Sequence, residues 1–313
     1  MATELPISVV KDEAAAVADV RDVQPVVIED GLWPRLVALG CYLVRTEVHT
    51  YAFSVAANAI LALFPFIVLM LTVSRVVFGT PRIEPVVGDL LKSFLPTGQE
   101  FVMRNMQLLV HPRKGMQVFS VVMLLISSTG VFMPLEVALN HVWGVRDNRS
   151  YVRNQMVSLG LAVAVGALAL FSVMMSAGQE SILRVVFLGH TENQAYHVIS
   201  HGFMHIAAGL ASVLLFFLIY WILPNRRVPA IAVLPTAVVI GVMWEGAKLL
   251  YVRALPWLDF QAVYGPFYIS VGLMMWAFLS GLLLLAGAHF SATRYTVRLA
   301  REVEATEREE MAT

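Results

Sequence analysis

Long apolar stretches set between basic residues give this chain its plan. No Lys or Arg falls between Arg45 and Arg75, and that gap holds Tyr51–Val73. Lys114 to Arg146 encloses Met116–Ala138, and Arg153 to Arg184 encloses Gln155–Ser176. Arg184 to Arg226 encloses His201–Leu223, Arg227 to Lys248 most of Ile231–Tyr251, and Arg253 to Arg294 Pro266–Phe290. A helix needs about 20 mostly apolar residues to cross a hydrocarbon core of about 30 Å. Each stretch meets that length. The bilayer offers no partners for backbone polar groups, so a spanning segment is either a helix or a strand of a closed barrel. Barrel strands are roughly 10-residue alternating segments, and these runs are longer and uniformly apolar. The pattern predicts an all-α membrane protein, a bundle of six transmembrane helices.

Between and beside the spans the pattern changes. The connection over 78–115 is too long for a bare loop. Within it Val86–Leu95 and Gln99–Val110 mix apolar with charged residues and are parted by Pro96 and Gly98, which predicts two short interfacial helices. Leu32, Leu36, Leu39 and Leu43 recur at helical spacing after Asp30, an N-cap candidate. With Trp33, Arg35 and Arg45 they predict an amphipathic helix on the cytoplasmic face. The organisation expected is a polar tail over 1–30, a six-span domain over 31–292 and a charged tail over 293–313. No internal repeat is evident, although inverted three-plus-three halves fit the count.

Composition fits this plan. Of 313 residues, 58% are hydrophobic and 14% charged, against about 25% charged in ordinary soluble domains. The net charge of +0 gives no general attraction for nucleic acid. One cysteine, Cys41, excludes an intramolecular disulfide and any multi-cysteine metal site. Residues 1–30 are rich in Asp and Glu and lack an apolar core after a basic start, so no cleavable signal is expected.

Charge also predicts orientation. With both termini cytoplasmic, inner segments hold Arg35, Arg45, Arg146, Arg149, Arg153, Arg226, Arg227 and the tail arginines. The outer connections after spans three and five hold only Arg184 and Arg253, as the positive-inside rule asks. The connection over 78–115, with Arg82, Lys92, Arg104, Arg113 and Lys114, runs against it.

Polar residues inside spans are expensive, and each calls for a reason. Glu245 and Lys248 sit at i and i+3 on the fifth span and so share a helix face. They either line a substrate path or proton site, or simply neutralise one another. Asn58 either bonds a neighbouring helix or lines a cavity, and Pro65 predicts a kink. Ser127 and Ser128, before Thr129 and Gly130, form a small polar patch that serves close packing or substrate contact equally well. Glu136, Asn140 and His141 close the second span, with Trp143 expected as an interfacial anchor. His205 and His289 are isolated. No H-x-x-x-H, C-x-x-C, Walker A loop or G-x-S-x-G occurs. No catalytic residue, metal site or cofactor is expected.

Several strings are familiar. Ala57-Asn58-Ala59-Ile60-Leu61-Ala62-Leu63-Phe64-Pro65-Phe66 resembles the first-span motif of the YihY/BrkB family of bacterial inner-membrane proteins. Gly130 to Val145, with Pro134, Glu136 and Asn140, resembles its second-span ending. Leu223-Pro224-Asn225-Arg226-Arg227-Val228, Trp244-Glu245-Gly246-Ala247-Lys248 and Tyr264-Gly265-Pro266 with Trp276 and Gly287-Ala288 resemble later segments. The matches run in order from about residue 50 to 292. One position departs: the glutamate common after the last Gly-Ala is His289 here.

The resemblance implies a multi-pass protein of the bacterial inner membrane, in a family discussed as transporters of lipids or envelope components. An older family label, tRNA-processing ribonuclease, is generally regarded as misassigned. A nuclease needs a carboxylate or histidine cluster for metal, usually beside a basic RNA groove, and neither is legible here. The function expected is non-enzymatic transport of a lipid or other amphipathic envelope molecule, with membrane lipids as partners and no nucleic acid. A non-transporting scaffold or assembly factor is the alternative, and a membrane-bound nuclease the third reading.

Overall fold

In the computed structural model the structure describes residues 32–78, 97, 114–145, 149–186, 194–226 and 228–312. Among these every regular element is helical. The elements are α1 (Leu32–Leu43), α2 (Thr46–Phe78), α3 (Lys114–Val142), α4 (Tyr151–Val186), α5 (Gln194–Ile222), α6 (Ala230–Leu258), α7 (Phe260–Tyr264) and α8 (Tyr268–Ala312). A 3₁₀ turn over Gly265–Phe267 joins the last two. Each of the six apolar stretches lies almost wholly within one of the long helices α2 to α6 and α8. Ala230–Leu258 and Phe260–Val297 are long and apolar enough to cross a membrane, and Val152–Leu168 and Ile206–Ile222 are shorter apolar helical segments.

The long helices pack in a closed order. α2 lies on α3, α3 on α4, α4 on α5, α5 on α6, α6 on α8, and α8 returns to α2. α8 also touches α3 and the short α1. Hydroxyls pin this last helix: Tyr220 donates to the Leu284 carbonyl at 2.8 Å and Tyr251 to that of Gly272 at 2.7 Å. Gly287 is required where α5 and α8 meet, because a Cβ there would strike the Tyr220 hydroxyl.

The two faces of α6 identify its solvent. Val233, Thr236, Ala237, Ile240, Gly241, Trp244 and Tyr251 face inward and are buried. The outward face carries Ile231, Leu234, Val238, Val239, Val242, Met243, Leu249 and Leu250, all exposed. In water such a face would be an aggregation surface far larger than monomers tolerate. Against hydrocarbon it needs no partner. The same inversion puts Glu136, Asn140, Asn154, Ser158, Ser212 and Ser291 among the buried residues. This is a membrane protein.

Some expectations meet the structure directly. The leucine spacing before the first span does form a helix, α1, which rests on α8 through Tyr42, whose ring stacks on His289 at 4.3 Å. Trp33, Leu36, Val37 and Val44 of α1 stay exposed. Trp143 is not an exposed anchor. It is 5% exposed, belongs to the buried core and packs near Tyr295 of α8 at 5.9 Å, and Gly144, with φ 67, follows it past the end of α3. The last span and the charged tail form one helix, since no Gly or Pro interrupts 291–312. The tail over 1–30, with its N-cap candidate Asp30, and the interfacial helices expected over 86–95 and 99–110 lie outside the described residues.

Candidate functional site

Two polar groups stand out, one where loops meet at an end of the bundle and one within its wall. The first is organised by Arg149, just before α4. Its Nε donates to Asn225 Oδ1 at 3.2 Å. Nη1 donates to the Leu223 carbonyl at 3.1 Å, and Nη2 to those of Ile222 and Pro224 at 3.2 and 2.9 Å. The α5 carbonyls need outside donors because a helix leaves its last carbonyls without internal partners. The planar guanidinium, with five N–H donors in a fixed fork, meets all of these acceptors from one side chain. Asn140 Oδ1 accepts from the Asn225 N–H at 2.7 Å. The Glu136 carboxylate takes hydrogen bonds from the Arg149 backbone and the Asn140 side chain, while its Oε1 is buried with no partner among the described residues. Burial lowers the Arg149 guanidinium from its ordinary value, and the Glu136 charge pushes it back up.

The second group lies on the seam of α5 and α6. Gly241 lets the two backbones touch, since a Cβ there would come within 2.7 Å of Val213 Cγ2. One turn further along α6, Glu245 Oε1 accepts from Ser212 Oγ at 2.7 Å. Glu245 Oε2 pairs with Lys248 Nζ at 2.8 Å. Nζ also lies 4.9 Å from the centre of the Trp244 ring, and Trp244 Nε1 donates to Ser280 Oγ of α8 at 3.1 Å. Lys248 and Glu245 keep 13% and 25% of their side-chain surface exposed. The pair therefore remains partly exposed at the edge of the α5–α6 seam.

The sequence candidates thus gather in small sets. Glu245 and Lys248 are brought together, and so are Glu136 and Asn140. Asn58 serves helix packing: Nδ2 donates to the Ser54 carbonyl of its own helix at 2.8 Å, and a Cβ on Gly130 would strike its Oδ1. The side chains of Ser127, Ser128 and His205 lie outside the described residues. Sequence reasoning missed Arg149 and Asn225 as site residues, and Ser212 altogether. Among the described residues no group of three His, Cys, Asp or Glu could hold a metal.

The family described as Virulence factor BrkB matches residues 43–312. The chain belongs to the BrkB family. Its similarities to individual members are distant. A protein of Bacillus subtilis, YfkH, named as ribonuclease-like, is 24% identical over 240 residues, which is 74% of this chain and 85% of that protein. A UPF0761 membrane protein of Acinetobacter baylyi is 27% identical over 236 residues, covering 72% of this chain and 54% of that one. Another, of Alteromonas mediterranea, is 23% identical over 239 residues, covering 75% and 78%. This BrkB chain thus spans about half the Acinetobacter protein's length and more of the other two. No solved structure matches it. The ring of Tyr42 stacks on His289, the position at which the sequence departs from the resemblance.

Proposed function

We propose that this BrkB member is a six-span inner-membrane protein, both termini cytoplasmic, that moves a lipid or other amphipathic envelope molecule. The observation that carries the reading is the Glu245–Lys248 pair on the α5–α6 seam, held by Ser212 and still partly exposed. A charge at mid-helix costs roughly 2.5–3.5 kcal/mol on insertion scales, and an anchor has no use for two of them. A carrier of headgroups does, because its substrate must find polar partners inside a hydrocarbon layer. The substrate arrives through the membrane itself, which suits a seam whose outer flank is apolar. The reading needs no catalytic residue, cofactor or nucleic acid.

Reconstitution tests it. Purified protein in liposomes should accelerate transbilayer movement of at least one envelope lipid, and Glu245→Ala should slow it. Metal-dependent tRNA cleavage that survives purification and disappears with in-span carboxylate variants would replace this reading by the nuclease one.

A further inference from the structure

Near its end α3 buries a carboxylate with one oxygen unmet. Glu136 is 2% exposed, and its Oε1 has no hydrogen-bond partner among the described residues. The donors that the carboxylate does have are neutral, the Arg149 backbone N–H and the Asn140 side chain. The Arg149 guanidinium directs its four bonds to Ile222, Leu223, Pro224 and Asn225. It therefore acts on Glu136 as a nearby charge and not as a donor. A carboxylate oxygen buried without a donor is a place for a proton.

Other unmet atoms lie at the same level. Asn154 Oδ1 and Ser158 Oγ of α4 are buried without partners among the described residues, and so is the donor Nε1 of Trp143. Glu136 lies six residues inside the end of α3, and Asn154 and Ser158 three and seven inside the start of α4. At about 1.5 Å per residue all three fall within about 11 Å of one end of this helix pair. Glu136, Asn140 and Trp143 recur at helical spacing and run from the carboxylate to that end. Buried polar atoms of this kind are met by internal water, the carrier that brings a proton inward.

Charge then links the proton to the corner. Arg149 is the charge that acts on Glu136, and Arg153 of α4 acts in turn on Arg149. The other elements packed at this end bring Glu47 and His49 of α2, Arg226 beyond α5, and His289 and Arg294 of α8. A proton on Glu136 removes the anion beside Arg149 and turns a charge-assisted bond from the Arg149 N–H into a neutral one. Both changes loosen the residue that holds the end of α5.

We propose that Glu136 is a proton-binding site, and that proton uptake there releases the grip of Arg149 on the end of α5. The full chain in lipid nanodiscs tests it by two readouts, neither of which involves transport, so this inference and the transport reading fail separately. Infrared difference spectra between about pH 8 and 5 should show the carbonyl band of a buried carboxylic acid growing on acidification. Labelling with ¹³C-glutamate should shift that band without any variant, and Glu136→Gln should abolish it. Amide exchange over 219–226, corrected for its intrinsic pH dependence, should rise on acidification by about fivefold or more, as a charged acceptor becomes a neutral one. Glu136→Gln resembles the protonated acid and should hold the faster exchange at both pH values. Absence of a titrating glutamate band in the wild type would overturn the site, and so would a band that survives Glu136→Gln. Exchange that does not respond to pH in the wild type, or that responds equally in Glu136→Gln, would overturn the link to the corner.

Discussion

Arg149 Nε donates to Asn225 Oδ1 at 3.2 Å across 76 positions of sequence. Through that contact the α3–α4 connection holds the α5–α6 connection, and the remaining guanidinium nitrogens complete the grip on three successive carbonyls. The consequence is a set of expectations about stability and arrangement.

Replacing Arg149 by Lys keeps the charge but not the fork. One ammonium cannot reach four acceptors spread over 222–225, and a lost bond to a charged group costs about 1.5–3 kcal/mol. Arg149→Lys should lower the melting temperature in detergent clearly, and Arg149→Met further. A lysine variant as stable as wild type would show that charge alone matters at this corner.

The meeting of α2 and α3 leaves no room at Gly130. A methyl group there collides with Asn58 Oδ1, and overpacking of this kind costs about 1–3 kcal/mol. Gly130→Ala should destabilise, and adding Asn58→Ala should recover part of the loss. Strictly additive losses would mean that the two residues do not press on one another.

Glu245 and Lys248 should be coupled in the same sense. Glu245→Gln alone takes the ion-pair partner at 2.8 Å from Lys248, so it should destabilise more than Glu245→Gln combined with Lys248→Met. Detergent melting of the two single variants and the double variant measures this. Additivity would dissolve the pair as an energetic unit.

Orientation can be read chemically. Cys41 is exposed, so labelling starts from Cys41→Ala. Ser150 and Gln261 are both exposed and belong to connections at opposite ends of the proposed topology. An impermeant maleimide on intact cells should modify Gln261→Cys and spare Ser150→Cys. The reverse pattern would invert the protein.

What the sequence revealed depended on how local each feature is. The Glu245–Lys248 pair was legible because a helix repeats every 3.6 residues, which puts i and i+3 on one face. The leucines of α1 were legible for the same reason. Ser212 was not: a serine in an apolar run is ordinary, and only the approach of α5 to Gly241 gives it a carboxylate. Arg149 was read as a topology signal alone, since three of its four acceptors are main-chain carbonyls that every residue possesses. Trp143 was misjudged because aromatic residues at a helix end usually meet the interface, whereas this one is buried against Tyr295 of the distant α8. Hydropathy marked the stretches that become the long helices, and it did not reveal the order in which they pack.

That order bears on how the protein is made. Synthesis delivers α5 and then α6, and both partners of Glu245 among the described residues (Ser212 before it, Lys248 three residues after) have emerged by the end of α6. The Glu245–Lys248 pair can therefore form without waiting for later chain. Arg149 likewise finds its carbonyls once α5 has ended. What must wait is the contact of α8 with α2, the first long helix with the last. Until that final helix docks, the bundle is an open crescent whose α2 and α6 edges lack a neighbour. A chain stalled before α8 would leave those edges free to capture another crescent, which makes the last helix the step at which one molecule closes on itself rather than on its neighbour.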